Sequence, residues 1–301
     1  MDSPSRSHLQ TELRLAESMA LDTMTTGQIV ALLAEQDAVA VAAVAREASN
    51  VTAAVEMVVD RLGAGGRLIY FGAGTSGRLG VVDASECPPT FRTEPWQVLG
   101  VIAGGDDAMF RAKEGAEDSL TDGAAQVDAR DVGPSDVVMG IAAGGTTPFV
   151  HGALRRAIER GAKTIFLSCV ESVPGEPPVD VVIRPITGPE VLTGSTRLKA
   201  GTATKLVLNQ ITTTAMVRLG KCYENLMVDV RATNSKLLDR AVRIVQVLSG
   251  VGRGQAEAVL REAGGQVKLA VLMQRRGLDR APAEANLARS AGNLRLALQS
   301  E

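Results

Sequence analysis

Two glycine-rich turns and one acid carry the chemistry legible in this chain. The first turn, Gly72-Ala73-Gly74-Thr75-Ser76-Gly77, follows the apolar run Leu68-Ile69-Tyr70-Phe71 and leads into a helical pattern. A glycine turn between strand and helix makes an anion pocket, because free backbone N–H groups and the helix dipole both point at it. Gly74, Thr75, Ser76, Gly77 and Arg78 are its candidate contacts. Glycines at 72, 74 and 77 satisfy GxGxxG, but the acid expected about 20 residues on is missing. Two hydroxyls beside N–H groups suit a phosphate monoester, whereas a nicotinamide cofactor wants an acid on its ribose. The same residues also serve as a plain strand–helix turn in which glycine answers sterics alone.

The second turn, Ala142-Ala143-Gly144-Gly145-Thr146-Thr147-Pro148, again follows an apolar run, and Pro148 fits the first turn of a helix. Gly144, Gly145, Thr146 and Thr147 either join the first turn on one ligand or form an unrelated loop. The acid is Glu86, downstream of the first turn and pinned by Pro88-Pro89. A carboxyl held near a phosphate has its pKa raised, since like charge disfavours ionisation, and it then donates a proton near neutral pH. Asp83 can share its helix face. Ser195 and Lys199, in Thr193-Gly194-Ser195-Thr196-Arg197-Leu198-Lys199, read equally as helix-cap material or as ligand contacts.

Composition excludes several classes. The net charge of −2 and 3% aromatic content give no electrostatic or stacking case for nucleic acid. Cys87, Cys169 and Cys222 are odd in number and widely spaced, which suits a reduced cytoplasmic protein rather than a disulfide or zinc framework. Only His8 and His151 are present, too few for a histidine-based metal site. The N-terminus has no signal-peptide core, and no run is expected to approach the ~20 apolar residues of a membrane span.

The elements that position these residues follow from periodicity. Residues 1–10 read as disordered and Ile29 to Leu62 as one helix. Apolar runs at Leu68–Phe71, Val98–Ala103, Val137–Ala142, Thr164–Ser168 and Val179–Ile183 alternate with helical segments or glycine turns. That pattern predicts βαβ units and a doubly wound parallel sheet flanked by helices, with ligands at the strands' carboxyl ends. Helices are expected at about Lys199–Leu219, closed by Gly220, and at Asn234–Leu248. A small helical bundle follows Gly250, with short helices near Gly254–Glu262, Gln266–Gln274 and Pro282–Ser290.

Four segments carry a family resemblance: LIYFGAGTSGRLGVVDASECPPTF, VIAGGDDAMFRAKEGAEDS, TGSTRLKAGTATKLVLNQITTTAMVRLGK and NLMVDVRATNSKL. TELRLAESMALDTM adds a looser match. Over about residues 11–275 the chain resembles N-acetylmuramic acid 6-phosphate etherases of the sugar isomerase (SIS) superfamily. The resemblance implies a five-stranded SIS-type α/β domain over 51–235. It places an N-terminal tail and helix over 1–50 and a C-terminal helical domain, similar to a ubiquitin-associated bundle, over 236–301. It also implies a bacterial cytoplasmic homodimer without metal or organic cofactor, acting on N-acetylmuramic acid 6-phosphate, with no nucleic-acid or membrane partner.

By motif, the family's two catalytic glutamates fall on Glu86 in DASECPP and Glu117 in EGAEDS, with Glu114 three residues upstream. The implied reaction removes the C2 proton of the open-chain sugar, expels D-lactate from C3 and adds water there. One departure stands out. Gly144 occupies the place where the family has serine, leaving Thr146, Thr147 or bare N–H groups to hold the phosphate. Two other functions share the superfamily: a non-catalytic sugar-phosphate sensor, and an aldose–ketose isomerase. The sensor that resembles these etherases has two SIS halves and this chain has one.

Overall fold

The structure is a computed structural model describing residues 10–230 and 235–299. The expected disorder at residues 1–9 and the expected helix start at Asn234 lie outside the described residues. The chain divides into two compact units, one drawn from Met1–Ser85 and Trp96–Thr212, the other from Glu86–Pro95 and Thr213–Glu301.

The first unit is built on five parallel strands: β1 (Leu68–Gly72), β2 (Val98–Ile102), β3 (Val137–Ile141), β4 (Lys163–Leu167) and β5 (Val181–Ile183). Their order is β2-β1-β3-β4-β5, with Leu68 paired to both Val98 and Val137. β1 and β3 are buried at every position, as strands covered on both faces must be. Ile69, Phe71, Val138 and Phe166 pack with Val127 of α4 (Leu120–Asp128) and with Phe149, Val150 and Leu154 of α5 (Pro148–Glu159). α2 (Ala48–Gly63) packs on the sheet through Val51, Ala54, Val55, Val58 and Leu62, spaced as one helix face. α3 (Gly74–Phe91) lies against β1 so closely that a Cβ on Gly72 would meet the Gly77 nitrogen at 2.6 Å.

One expectation changes in this unit. The single helix predicted over Ile29–Leu62 is two, α1 (Thr26–Arg46) and α2, broken at Glu47. The Glu47 carboxylate accepts the Arg184 N–H at 3.0 Å, a contact spanning 137 residues that no local pattern could signal. α1 is the most apolar long helix among the described residues, although Glu35, Gln36 and Asp37 interrupt its apolar run. An 18-residue window of it has mean hydropathy 1.5, long and apolar enough by length and composition to cross a membrane. Alanine and valine supply that hydropathy around Glu35 and Asp37, and Leu32, Ala40, Ala43 and Val44 are buried in the unit.

In the second unit, α7 (Ser235–Ser249), α8 (Arg253–Glu262), α10 (Arg280–Arg289) and α11 (Leu294–Gln299) surround α9 (Val267–Arg276). α9 is buried at every residue from Val267 to Met273. The Lys268 ammonium on it survives burial by donating to Asp229 at 2.5 Å and to the Gly292 carbonyl at 2.8 Å. α11 is a fourth helix after Gly250, beyond the three that the residues suggested. α6 (Lys199–Arg218) ends at Gly220, whose φ of 72° lets Lys221 N–H reach back to the Met216 carbonyl.

Candidate active site

The strand order reverses direction at β1 and β3, which stay paired to their last residues Gly72 and Ile141, so the connections leaving their carboxyl ends run to opposite sides and leave a crevice. Both glycine turns end there. The first N–H groups of any helix lack partners inside it. At the start of α3, Gly74, Thr75 and Ser76 line a cavity of about 250 Å³. Gly74 has φ +53°, a left-handed entry with nothing within 4 Å of where a Cβ would stand. Across the cavity lie Gly144, Thr146 and Thr147 at the entrance to α5, with Pro148 at its first position. Thr147 makes no side-chain capping bond, so its hydroxyl is not spent on its own helix. The turn is held from below by His151, whose Nε2 lies 2.8 Å from the Gly145 carbonyl. Burial lowers the His151 pKa and favours the neutral ring, which donates from Nε2 to that oxygen.

Glu117 reaches the same cavity from the segment between β2 and α4. It sits in the short 3-10 turn Ala116–Asp118, entered through left-handed Gly115 and followed at once by α4, which Ser119 caps by accepting the Asp122 N–H. Glu117 is exposed and also lines a neighbouring cavity of about 220 Å³ with Arg78, Lys113 and Glu114. The Arg78 guanidinium donates to the carbonyls of Ala108 (2.8 Å) and Met109 (3.0 Å), bracing the segment that precedes Glu117.

A third helix N-terminus, that of α6, is closed differently. The fully buried Glu190 carboxylate accepts the N–H groups of Lys199 at 2.9 Å and Ala200 at 3.0 Å. The helix end that could have held an anion already holds one from the protein.

A larger cavity of about 550 Å³ lies at the amino end of the sheet, among Arg67, Trp96, Asp136 and Arg160. Its charges are committed. Arg67 pairs with Asp136 at 2.6 Å, and Arg160 is bound to Asp131 and to the Val132 carbonyl. Volume alone therefore does not mark the site; open donors do.

Comparison with known proteins gives the chain's family. Residues 50–158 match the family described as the glucokinase regulatory protein N-terminal SIS domain, and 224–288 the C-terminal lid domain of glucokinase regulatory protein. The chain is similar to an N-acetylmuramic acid 6-phosphate etherase of Rubrobacter xylanophilus, 53% identical over 96% of each chain. It is 50% identical to that of Nostoc punctiforme over 98% of this chain and 96% of the other. It is 51% identical to N-acetylmuramic acid 6-phosphate etherase 2 of Vibrio cholerae over 97% and 95%. The chain belongs to the N-acetylmuramic acid 6-phosphate etherase family. Among solved structures, the sugar isomerase domain of an RpiR transcription factor from Sphaerobacter thermophilus is 18% identical, with a TM-score of 0.43 over 64% of this chain and 97% of that one.

Of the residues singled out as etherase contacts, the cavity gathers Gly74, Thr75, Ser76, Glu117, Gly144, Thr146 and Thr147. Gly77, Arg78, Gly145, Ser195 and Lys199 do not line it, Arg78 lying on the neighbouring cavity instead. Gly77 is buried against β1, where a Cβ would stand 2.7 Å from the Gly72 carbonyl oxygen. Gly145 is buried over Val170 and turned toward His151. In the loop before α6 the cavity takes Thr196 instead of Ser195. Lys199 is buried, and its ammonium donates to Gln36 of α1 at 2.6 Å. Asp83 is structural, accepting from Tyr70 at 2.9 Å and Thr212 at 3.1 Å, and burial raises its pKa. Glu86 belongs to the second unit, exposed on α3 ahead of Pro88 and Pro89. The residue reading missed Thr11, Glu12, Gly194 and Thr196, which complete the cavity. Only the loose resemblance at TELRLAESMALDTM hinted at the first two.

Proposed function

We propose that this chain cleaves the D-lactyl ether of N-acetylmuramic acid 6-phosphate, giving N-acetylglucosamine 6-phosphate and D-lactate. The observation that carries the proposal is the meeting, in one cavity, of two open helix N-termini with the carboxylate of Glu117. The phosphate binds at Gly74, Thr75 and Ser76 and at Gly144, Thr146 and Thr147, through N–H groups and hydroxyls that suit an anion. Anchoring the phosphate fixes the open-chain sugar and removes part of the entropy cost of the reaction.

In that sugar the C1 aldehyde makes the C2 proton acidic. Glu117 removes it. The electron pair left at C2 forms a C2–C3 double bond as the C3–O bond breaks. Glu86 donates its proton to the departing lactate oxygen. Glu86, now a carboxylate, takes a proton from water, whose hydroxyl adds to C3, and Glu117 returns the proton to C2. Atoms and charge balance over the two steps, and two carboxyls in opposite protonation states are the chemical requirement. No step calls on a metal or organic cofactor.

The protein acts as a cytoplasmic homodimer in this reading. Val30 and Val41 stand exposed on one face of α1, an apolar strip suited to a second copy. A coupled D-lactate assay on the purified protein tests the activity. Turnover of the muramic ester supports it, and absence of lactate with intact sugar-phosphate binding selects the sensor reading. Interconversion of aldose and ketose phosphates without lactate would select an isomerase.

A further inference from the structure

We propose that Thr11 and Glu12 form a wall of the cavity that reads hydrogen-bond donors on the bound sugar. The inference rests on the sugar-phosphate reading of this cavity and adds two binding residues to it. Both line the cavity, although about sixty residues of chain separate them from the first glycine turn. Their segment, the 3-10 turn Gln10–Glu12, is tied to the loop before α6, where the Gly194 N–H donates to the Thr11 carbonyl at 3.2 Å. Gly194 has φ +76°, and a Cβ there would meet Glu12 Oε2 at 3.1 Å, so this glycine leaves the room that the carboxylate occupies.

Two observations point to a ligand. Thr11 is 1% exposed, and its Oγ1 is buried without a hydrogen-bond partner among the described residues. Buried polar groups are almost always satisfied, so an unpaired buried hydroxyl calls for a partner. The Thr11 Oγ1 faces the second glycine turn, 3.8 Å from where a Gly144 Cβ would stand. Glu12, in turn, is a second carboxylate in a cavity otherwise suited to an anion. An ionised carboxylate accepts hydrogen bonds and donates none, so it repels the phosphate and selects hydroxyl or amide N–H groups. The anion donors on α3 and α5 and the acceptor on Glu12 therefore orient a molecule that is phosphate at one end and rich in O–H and N–H at the other.

The test is calorimetric binding of N-acetylglucosamine 6-phosphate and of inorganic phosphate to the full chain and to Glu12→Gln, Glu12→Ala, Thr11→Val and Thr11→Ser. Glu12→Ala is expected to weaken the sugar phosphate about tenfold or more, as loss of a charge-assisted hydrogen bond does. It should leave phosphate binding unchanged or tighter, because a negative charge has left the cavity. Glu12→Gln, nearly isosteric, should weaken the sugar phosphate less, and Thr11→Ser should restore what Thr11→Val loses. The proposal is overturned if folded Glu12 variants, judged by circular dichroism and melting temperature, keep wild-type affinity for the sugar phosphate. Equal loss of both ligands also overturns it, since that marks a structural role. A wild-type protein that binds neither ligand and releases no lactate sinks the underlying reading instead, and the inference with it.

Discussion

The N-termini of α3 and α5 contrast with that of α6. All three are entered through glycine, with threonine or serine at or just before the helix start, and all three present unpartnered N–H groups by the geometry of the helix. At α3 and α5 those groups open on a cavity lined by hydroxyls. At α6 the buried Glu190 occupies them. Identical backbone physics thus yields an open cavity in one place and a structural brace in another. What decides is whether a carboxylate from elsewhere in the chain arrives first. A helix N-terminus is a capacity for anions, and the fold assigns the anion.

The contrast can be broken most severely at the chemistry. Glu117→Gln and Glu86→Gln are each expected to lower the rate of lactate release by about 10²–10⁴-fold, the range of a lost general acid or base. Each should leave the melting temperature near wild type, because both side chains are exposed. Either variant releasing lactate at the wild-type rate removes that glutamate from the mechanism.

At α6 the expected damage is to stability. Glu190→Ala leaves two buried N–H groups without an acceptor and should cost about 3 kcal/mol in denaturant unfolding. At α3 the reverse holds. The double variant Thr75→Val, Ser76→Ala should raise KM about tenfold or more, by loss of hydrogen bonds to a charged phosphate, and move the unfolding midpoint little. If the two sets of variants exchange phenotypes, the assignment of open and plugged helix ends is wrong.

A smaller effect is expected beneath the second turn. His151→Leu removes the donor to the Gly145 carbonyl and should cost about 1 kcal/mol. The pH dependence gives its sign. Burial holds the His151 pKa below its ordinary 6.5, so as pH falls the unfolded chain binds the proton first. The stability contribution is full above about pH 6.5 and is lost as pH falls through the lower folded value. In His151→Leu that part of the acid dependence should flatten, as measured by unfolding across pH 5–8.

Gly144→Ser should do least. A Cβ there meets only Thr11 Oγ1, at ordinary contact distance. The restored hydroxyl is expected to lower KM by no more than about threefold, less than one net hydrogen bond, because Thr146 and Thr147 already supply hydroxyls. A tenfold gain would mean that those threonines do not touch the phosphate.

Much of this is legible in the sequence. The five strands appear where the apolar runs lie, and β1, β2 and β3 run out into glycine, because a strand buried on both faces needs an unbroken apolar run and its exit needs a turn. Both glycine turns that line the cavity were readable for the same local reason, and Glu117, which lines it too, was singled out through its EGAEDS motif. Lys199 was not. A lysine after Ser-Thr looks like a ligand contact, yet burial beside Glu190 and Gln36 turns it inward. Gly77 looked like a phosphate glycine and proves to be the clearance between β1 and α3. The break at Glu47, the plug at Glu190 and the arrival of Thr11 and Glu12 each depend on contacts between residues far apart in the chain or on a loop closing back on a helix end.

The sequence by itself determined the strands, the turns and the types of donor at their ends, since these depend on neighbours within a few residues. Only the tertiary structure decided which helix ends stay open, which cations turn inward and which distant carboxylate enters the cavity. Those outcomes depend on desolvation and hydrogen-bond partners that exist only once the chain is packed.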